Sequence, residues 1–214
     1  MTRLGICQGM AGHLSGHNDR GMAVEMGKGE RLVRRIRVPL GFVFAALFLW
    51  LARPSFLSLA LSLLLVVPGL WLRGYAAGYV KKNAELTQTG PYAYTRNPLY
   101  LGSVMAAFGF AFASRRWELV VLLALLFLVI YGPVILSEER FLRGHFADFD
   151  AYASRVPRLL PRLTAASAPA GRTSAGFDAE RYRKHREYNS VMGAAGIYAT
   201  LLVLMWVRAR WGVQ

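Results

Sequence analysis

Residues 90–102 read GPYAYTRNPLYLG and stand between apolar runs of the chain. A later apolar run ends on the carboxylate pair Glu138-Glu139. Prolines, tyrosines, an arginine and carboxylates are costly near lipid, so polar groups at membrane depth usually mark function. The arrangement predicts a site at a membrane surface, built from a loop and a helix end.

Five apolar segments and a hydrophobic share of 55% in 214 residues decide the fold class. Soluble domains are usually about 45–50% apolar. A helix of about 18 residues spans roughly 27 Å, close to the ~30 Å hydrocarbon core of a bilayer. We therefore predict an all-α integral membrane bundle of about five transmembrane helices, with a kink at Gly132-Pro133. The segments are Val38–Ala52, Ser55–Leu72, Pro98–Ala113, Trp117–Leu136 and Val191–Val207.

The formal net charge is +14, and its placement indicates lipid as the partner. Basic residues stand next to the apolar runs, where they contact headgroups and set topology. The sequence shows no DNA-recognition helix and no surface of aromatic and basic residues that could stack bases, so no nucleic-acid partner is expected. The single cysteine, Cys7, excludes an intrachain disulfide and a cysteine-based metal site, and no metal is expected.

The basic cluster Arg31–Arg37 predicts a cytoplasmic N-terminus. Counting crossings then places residues 73–97 and 137–189 on the cytoplasmic side, so the motif and the two glutamates share one membrane face. The same count places the C-terminus outside, where Arg208 and Arg210 oppose the charge rule. If the fifth segment lies in the interface instead, the C-terminus returns to the inside.

Composition divides the chain into four parts. Residues 1–30 are rich in glycine and methionine and predict a disordered tail, and residues 31–162 form the membrane core. Within that core, residues 139–160 alternate basic, acidic and apolar groups, which predicts a cytoplasmic amphipathic helix. Residues 163–176 predict a flexible linker, and residues 177–214 a basic segment with an additional apolar helix.

The pair Asn97-Pro98 predicts the start of a helix, because asparagine is a good N-cap and proline suits the first helical position. The free amides of that helix end form a weak anion site, although the pair also fits a simple transmembrane cap. Tyr92, Tyr94 and Tyr100 fit either an interfacial aromatic belt or a wall for a cofactor ring or sulfonium.

The charges of the candidate site come from Arg96 and from Glu138-Glu139. The planar guanidinium group of Arg96 could bind a carboxylate or phosphate of a ligand, and it could equally contact lipid headgroups. Adjacent helical residues point about 100° apart. One carboxylate would therefore bind cofactor hydroxyls or an amine while the other orients the acceptor, and a solvated helix end is the alternative. Glu139 and Arg143 stand at i, i+4 and predict a local ion pair.

In order and spacing, residues 90–102, then Glu138-Glu139, then FADFDAYASRVPRLLP at 146–161 resemble the isoprenylcysteine carboxyl methyltransferase and phospholipid methyltransferase superfamily. The resemblance implies an integral membrane methyltransferase that uses S-adenosylmethionine and an amphiphilic acceptor, either an isoprenylcysteine-like carboxylate or a lipid amine. It implies a cytoplasmic cofactor pocket between the motif and the helix that carries the glutamates, closed by Arg155, Val156 and Pro157. The residues it implies as catalytic are Arg96, Glu138 and Glu139. Those it implies as cofactor-binding are Gly90, Pro91, Tyr92, Tyr94, Asn97, Pro98, Tyr100, Leu101, Gly102 and Glu138.

Asn97 departs from the family pattern, which usually has histidine at this position. Asparagine can hold a cofactor, but it cannot shuttle a proton near neutral pH. Two other interpretations stay open: a sterol-type membrane reductase with a nicotinamide cofactor, and a catalytically silent membrane scaffold. The acceptor also stays open, because a carboxylate or thiolate needs no base, whereas an amine must lose a proton to Glu138 or Glu139.

Overall fold

A computed structural model describes residues 28–80, 85–167 and 176–211, and within these ranges the protein is helical without strands. Most of the predicted disordered tail (residues 1–30) and most of the predicted linker (residues 163–176) lie outside the described residues, which include only residues 28–30 of the first and residues 163–167 and 176 of the second. A 3₁₀ turn at Gly90–Ala93 and a π-helical turn at Phe127–Tyr131 interrupt the α-helices. The helices are α1 (Lys28–Leu51), α2 (Phe56–Tyr79), α3 (Pro98–Ala113), α4 (Trp117–Leu126), α5 (Gly132–His145), α6 (Phe149–Arg155), α7 (Ala179–Lys184) and α8 (Tyr188–Trp211).

In the part of the chain that the structure describes, three helical stretches are long and apolar enough to cross a membrane: Phe56–Tyr79, Trp117–His145 and Tyr188–Trp211. Two shorter apolar helices, Pro39–Leu51 and Pro98–Ala113, complete the set of five predicted segments. The prediction of an all-α integral membrane bundle is confirmed.

The span Trp117–His145 changes its winding at the π turn just before Gly132-Pro133. Proline has no amide hydrogen, and its ring clashes with the carbonyl four residues earlier, so the regular ladder of hydrogen bonds cannot continue through it. The helix is therefore interrupted by a π turn where the kink was predicted, and the kink itself stays a prediction.

The helix ends gather at two opposite ends of the bundle. At the arginine end, which comprises residues 50–55, 113–118 and 206–211, the amide of Arg53 donates to the carbonyl of Ser114 at 2.8 Å. At the site end, which comprises residues 73–80, 85–100, 136–167 and 176–190, Arg96 pairs with Glu139. The motif and the glutamate pair therefore lie at the same end of the bundle.

Helices α2 and α3 pack closely because small residues line their crossing. A Cβ on Gly102 would lie 2.5 Å from the carbonyl oxygen of Gly69, and one on Gly109 would lie 2.6 Å from Cγ2 of Val66. Small residues let two helix backbones approach closely in a membrane. This crossing fixes where α3 begins, and hence where the motif is held.

Helix α8 runs beside α2 from the site end to the arginine end. Near its start, Glu187 pairs with Arg73 of α2 at 3.0 Å. Midway, the hydroxyls of Tyr198 and Ser62 are 2.7 Å apart. Near its end, Arg208 binds the carbonyl of Ala52. The fifth segment therefore follows the depth of the bundle and does not lie across its surface.

The prediction of one amphipathic helix over residues 139–160 is wrong. The chain leaves the helix after His145 and starts a new one, α6, at Phe149. Nε2 of Gln88 donates to Oδ2 of Asp148 at 2.8 Å, and Leu86 packs in a cluster with α6. The helix therefore breaks between His145 and Phe149, where the chain contacts the segment before the motif.

Candidate functional site

The buried carboxylate of Glu139 lies between two guanidinium groups at the site end. Oε1 is 3.3 Å from Nη1 of Arg96, and Oε2 accepts from Nη2 and Nε of Arg158 at 2.9 and 3.0 Å. Only 6% of Glu139 is exposed, and a carboxylate is costly to bury unless it is paired and hydrogen-bonded. The two arginines thus permit this burial and join the motif, α5 and the segment after α6.

Residues 155–166 form a strap over the motif, held by main-chain hydrogen bonds. Thr95, which is buried, adds a side-chain hydrogen bond to the carbonyl of Leu159 at 2.9 Å. Because the strap holds the backbone at Ala93, Tyr94 and Arg96, it also restricts the direction of the Arg96 side chain. The main-chain bonds, each 2.9 Å long, join Arg96 to Pro157, Arg162 to Tyr94 and Ala166 to Ala93.

The resemblance implied that Arg155, Val156 and Pro157 close the site, and the structure places them in this strap. Val156 is buried in the cluster around Leu86. Nη2 of Arg155 donates to Oε1 of Gln88 at 3.2 Å, and Pro157 accepts from the amide of Arg96. All three therefore contact the motif or the segment just before it.

Tyr92 and Tyr152 form a buried pair behind the charged groups. The Tyr152 hydroxyl donates to the Tyr92 carbonyl at 2.8 Å. Burial raises the pKa of Tyr92 well above its usual range, and the neighbouring Tyr152 and Glu138 raise it further. Burial likewise raises the pKa of Tyr152, although the positive charge of Arg96 opposes this. Both rings stay neutral near physiological pH and form a low-dielectric wall beside Arg96.

Tyr100 connects the motif to the first glutamate of the pair. Its hydroxyl donates to Oε2 of Glu138 at 3.1 Å, and its ring meets that of Tyr131 edge to face at 5.9 Å between centroids. Tyr94, in contrast, is exposed. Glu138 and Glu139 therefore face different partners, as their 100° separation on a helix predicts.

Asn97 precedes α3, as predicted, but it does not cap the helix with its side chain. Instead, Nδ2 donates to the carbonyl of Arg158 at 2.9 Å. The predicted helix start at Asn97-Pro98 is confirmed, but the capping hydrogen bond is absent and the side chain is turned toward the strap instead. The residue at the family's histidine position thus helps to hold the strap that carries Arg158.

The remaining predicted site residues have different positions. Gly90 has φ +60°, a conformation that suits glycine, and packs against the ring of Tyr79. Pro91 is buried in the 3₁₀ turn. Pro98 is buried at the start of α3, and Leu101 is half-buried one turn later. Gly102 lies at the crossing with α2, where its lack of a side chain lets the two helices approach closely.

Two charged contacts at the site end were not predicted. Arg158, which pairs with Glu139, lies in a strap whose position is set by main-chain bonds. Glu187 pairs with Arg73, and the only signal for this was the basic run before the last apolar segment. The expected i, i+4 pair of Glu139 with Arg143 is wrong, because Glu139 turns inward and Arg143 pairs with Asp150 at 2.7 Å.

The charged cluster retains free hydrogen-bonding capacity. Among the described residues, Nε of Arg96 and Oε1 of Glu139 are buried without a hydrogen-bond partner. Buried polar atoms of this kind are rare and call for an explanation. A donor beside an acceptor suits a ligand that carries a carboxylate and an ammonium or hydroxyl group, as the amino-acid part of S-adenosylmethionine does.

Within the described ranges, no group of three or more His, Cys, Asp or Glu side chains is arranged to hold a metal ion. The expectation that the protein needs no metal stays a prediction.

Comparison with known proteins adds a family to this geometry. Residues 39–148 match the family model described as phospholipid methyltransferase. The chain is 39% identical over 95 residues to the nickel-cobalt-cadmium resistance protein NccN of Alcaligenes xylosoxydans xylosoxydans, with 44% of each chain covered. It is 34% identical over 137 residues to the cobalt-zinc-cadmium resistance protein CzcN of Cupriavidus metallidurans, with 60% of this chain and 62% of that protein covered. The chain thus spans less than two thirds of either relative, and no solved structure matches it.

Proposed function

This chain belongs to the phospholipid methyltransferase family, and from that premise we propose that it transfers a methyl group from S-adenosylmethionine to an amphiphilic acceptor in the membrane. The family supports a membrane methyltransferase. The cofactor, the acceptor class and the residues that bind them are the proposal. The observation that carries it is the ion pair of Arg96 with Glu139, in which a buried donor, Nε of Arg96, and a buried acceptor, Oε1 of Glu139, have no hydrogen-bond partner among the described residues.

The proposed cofactor would supply a methyl group already activated on a sulfonium. Arg96 would hold a carboxylate through its free Nε, and Glu139 would accept from an ammonium or hydroxyl through Oε1. Arg158 would keep the Glu139 carboxylate charged and oriented through Oε2. The protein's contribution would be alignment and exclusion of water, which together account for much of the rate of a displacement reaction.

The acceptor side of the site would be Glu138 with Tyr100. These two groups join α3 to α5 at the end of the apolar spans, where an acceptor with a lipid tail would enter between helices. A lipid amine would lose its proton to Glu138 directly or through water. An isoprenylcysteine-like carboxylate would need no base, and its negative charge would then favour the arginine side of the site.

We further propose that the site end faces the cytoplasm. It carries most of the basic residues beside the described spans, among them Arg140, Arg143, Arg155 and Arg158, and basic residues near span ends favour the cytoplasmic side. A cytoplasmic site would meet a soluble methyl donor and a membrane-embedded acceptor together.

The experiment incubates detergent-purified protein with methyl-labelled S-adenosylmethionine and total membrane lipid, and then separates the labelled products. We expect label in an organic-extractable lipid or lipidated product. The reaction should be lost in Arg96→Gln and Glu139→Gln and kept in Arg143→Gln, which breaks an exposed ion pair on the same helix as Glu139. Label confined to water-soluble products would contradict the amphiphilic acceptor.

Parallel titrations separate the two other interpretations. Binding of a nicotinamide cofactor without binding of S-adenosylmethionine would favour a membrane reductase. Binding of neither would favour a scaffold. The metal resistance in the names of the two relatives is a property of those proteins, and for this chain it suggests only that growth under metal stress is a useful phenotype to measure.

A further inference from the structure

Two arginines from different segments bind carbonyls at the end of α1 at the arginine end, and a third arginine lies beside them in the chain. Nε of Arg116 donates to the carbonyl of Leu51 at 3.2 Å. Nη2 of Arg208 donates to the carbonyl of Trp50 at 2.7 Å, and its Nη1 donates to the carbonyl of Ala52. Arg53 follows directly in the chain and is exposed. The guanidinium groups of Arg116 and Arg208 thus lie on one helix end, beside Arg53.

In the part of the chain that the structure describes, the arginine cluster (Arg53, Arg116 and Arg208) has no carboxylate bound to it, although Glu118 lies at the same end of the bundle. A helix C-terminus carries the equivalent of about −0.5 charge, which offsets only a fraction of three positive charges. Among the described residues, none of the three forms an ion pair. Arg116 and Arg208 already bind carbonyls at the end of α1. Arg53 therefore repels these two arginines without adding a hydrogen bond to the helix end. An anionic ligand would compensate the charge that remains.

The surroundings of the cluster are those of a membrane interface. Four of the five tryptophans lie at this end and are exposed, and tryptophan is enriched at the level of lipid headgroups. The apolar spans also end here, so lipid phosphates would lie at the depth of the guanidinium groups. The tryptophans are Trp50, Trp117, Trp206 and Trp211.

We propose that Arg53, Arg116 and Arg208 bind the phosphate of an anionic phospholipid at the membrane face opposite the methyltransferase site. Guanidinium groups suit this role because their fork matches phosphate oxygens. A zwitterionic lipid offers the same phosphate next to a positive group, which the cluster would repel. The proposal does not depend on the proposed methyl transfer, because the cluster lies at the other end of the bundle.

The first test uses the unchanged protein in a neutral detergent. Phosphatidylglycerol, phosphatidylcholine or inorganic phosphate is added, and bound lipid is counted by native mass spectrometry while the thermal midpoint is followed. We expect phosphatidylglycerol to be retained at least about tenfold more strongly than phosphatidylcholine, because only phosphatidylcholine brings a cation next to the arginines, and repulsion of about 1.4 kcal/mol gives that ratio. Equal retention of the two lipids would overturn the proposal. Displacement of phosphatidylglycerol by millimolar inorganic phosphate would show that the ligand is a soluble anion and would overturn the lipid assignment.

The second test compares Arg53→Gln with Arg210→Gln. Arg53 makes no side-chain hydrogen bond to α1 among the described residues, so its variant should fold. Arg210 stands at the same end but about 200° around α8 from Arg208, which makes it a matched control for general surface charge. We expect Arg53→Gln to weaken phosphatidylglycerol retention about tenfold and Arg210→Gln to leave it unchanged. An equal loss in both variants would indicate diffuse attraction and contradict a site.

Discussion

Nη1 of Arg96 lies 3.3 Å from Oε1 of Glu139, although two apolar segments separate these residues in the sequence. The pair is mostly buried, with 12% of the Arg96 side chain and 7% of the Glu139 side chain exposed. Such a contact requires that the chain cross the bundle twice and return to the same end. The helix arrangement and the candidate site therefore depend on each other.

Glu139→Gln should weaken binding of S-adenosylmethionine by at least about tenfold and lower the thermal midpoint. The variant leaves two arginines without their carboxylate, and breaking a buried ion pair costs up to about 3–5 kcal/mol. The cost should fall below that range because Arg158 is half-exposed. Equilibrium dialysis and thermal unfolding measure the two effects.

The matched control for Glu139→Gln is Asp150→Asn, which removes the exposed partner of Arg143. Exposed ion pairs contribute about 0–1 kcal/mol, so binding should stay within about twofold. Similar losses of binding in both variants would mean that Glu139 has no special part in holding the ligand.

Asn97→His should retain most of the binding, because an imidazole N–H can replace the Nδ2 donor to the Arg158 carbonyl. A histidine titrates near pH 6.5, and its positive charge would repel Arg96 and Arg158. We therefore expect binding to weaken as pH falls below about 6.5 in this variant only, measured by titration from pH 5.5 to 8. Asn97→Ala removes the donor and should weaken binding at every pH. A pH profile of Asn97→His identical to that of the wild type would show that this side chain does not act near the arginines.

The fold class, the five apolar segments and the irregularity before Pro133 could be predicted because hydropathy and proline geometry are local. Helix α3 begins at Pro98 and ends at Ala113, as predicted. Helix α2 continues to Tyr79, beyond Leu72 where the predicted apolar segment ends, and its Arg73 pairs with Glu187 from the far C-terminal segment. No local sequence pattern indicates that Glu187 pairs with Arg73.

The errors within the site have the same cause. From the sequence, the Asn97 side chain was predicted to cap α3, and Glu139 was predicted to form an ion pair with Arg143 four residues later. Both instead bind Arg158, which reaches them through the main-chain bonds of the strap. The spacing of the motif predicted a cofactor-binding role for Gly102. Its packing against Gly69 could not be predicted, because it depends on α2 lying beside α3.

Gly102→Ala should destabilise the protein by about 1–3 kcal/mol, the usual cost of overpacking. The added Cβ would lie 2.5 Å from the Gly69 carbonyl oxygen, so the helices must move apart. Gly144→Ala is the control, since nothing lies within 4 Å of its Cβ position, and alanine is favoured over glycine in a helix by about 0.5–1 kcal/mol. Thermal unfolding of both variants checks the prediction, and equal midpoints would argue against the close crossing.

The stability of the protein should fall as the pH rises above about 10. Burial raises the pKa of Tyr92 and of Tyr152, whereas tyrosines in the unfolded chain ionise near pH 10. The folded state then holds protons that the unfolded state has lost. The stabilisation is complete below pH 10 and decreases by up to about 1.4 kcal/mol per pH unit for each tyrosine as pH rises.

Thermal midpoints between pH 8 and pH 11 measure this slope. Tyr152→Phe should make it shallower. Tyr94→Phe is the matched control, because it removes a hydroxyl from an exposed side chain two residues after Tyr92. A slope that is unchanged in Tyr152→Phe would exclude Tyr152 as its source.

The central claim is that the motif and the helix carrying Glu138-Glu139 enclose one methyl donor. Ultraviolet photolabelling of the purified protein with radiolabelled S-adenosylmethionine, followed by peptide mapping, tests it directly. The account predicts label in peptides from residues 85–102 and 132–158 that is displaced by excess unlabelled cofactor and lost in Glu139→Gln. Displaceable label confined to peptides from the arginine end, or label that Glu139→Gln does not change, would contradict it.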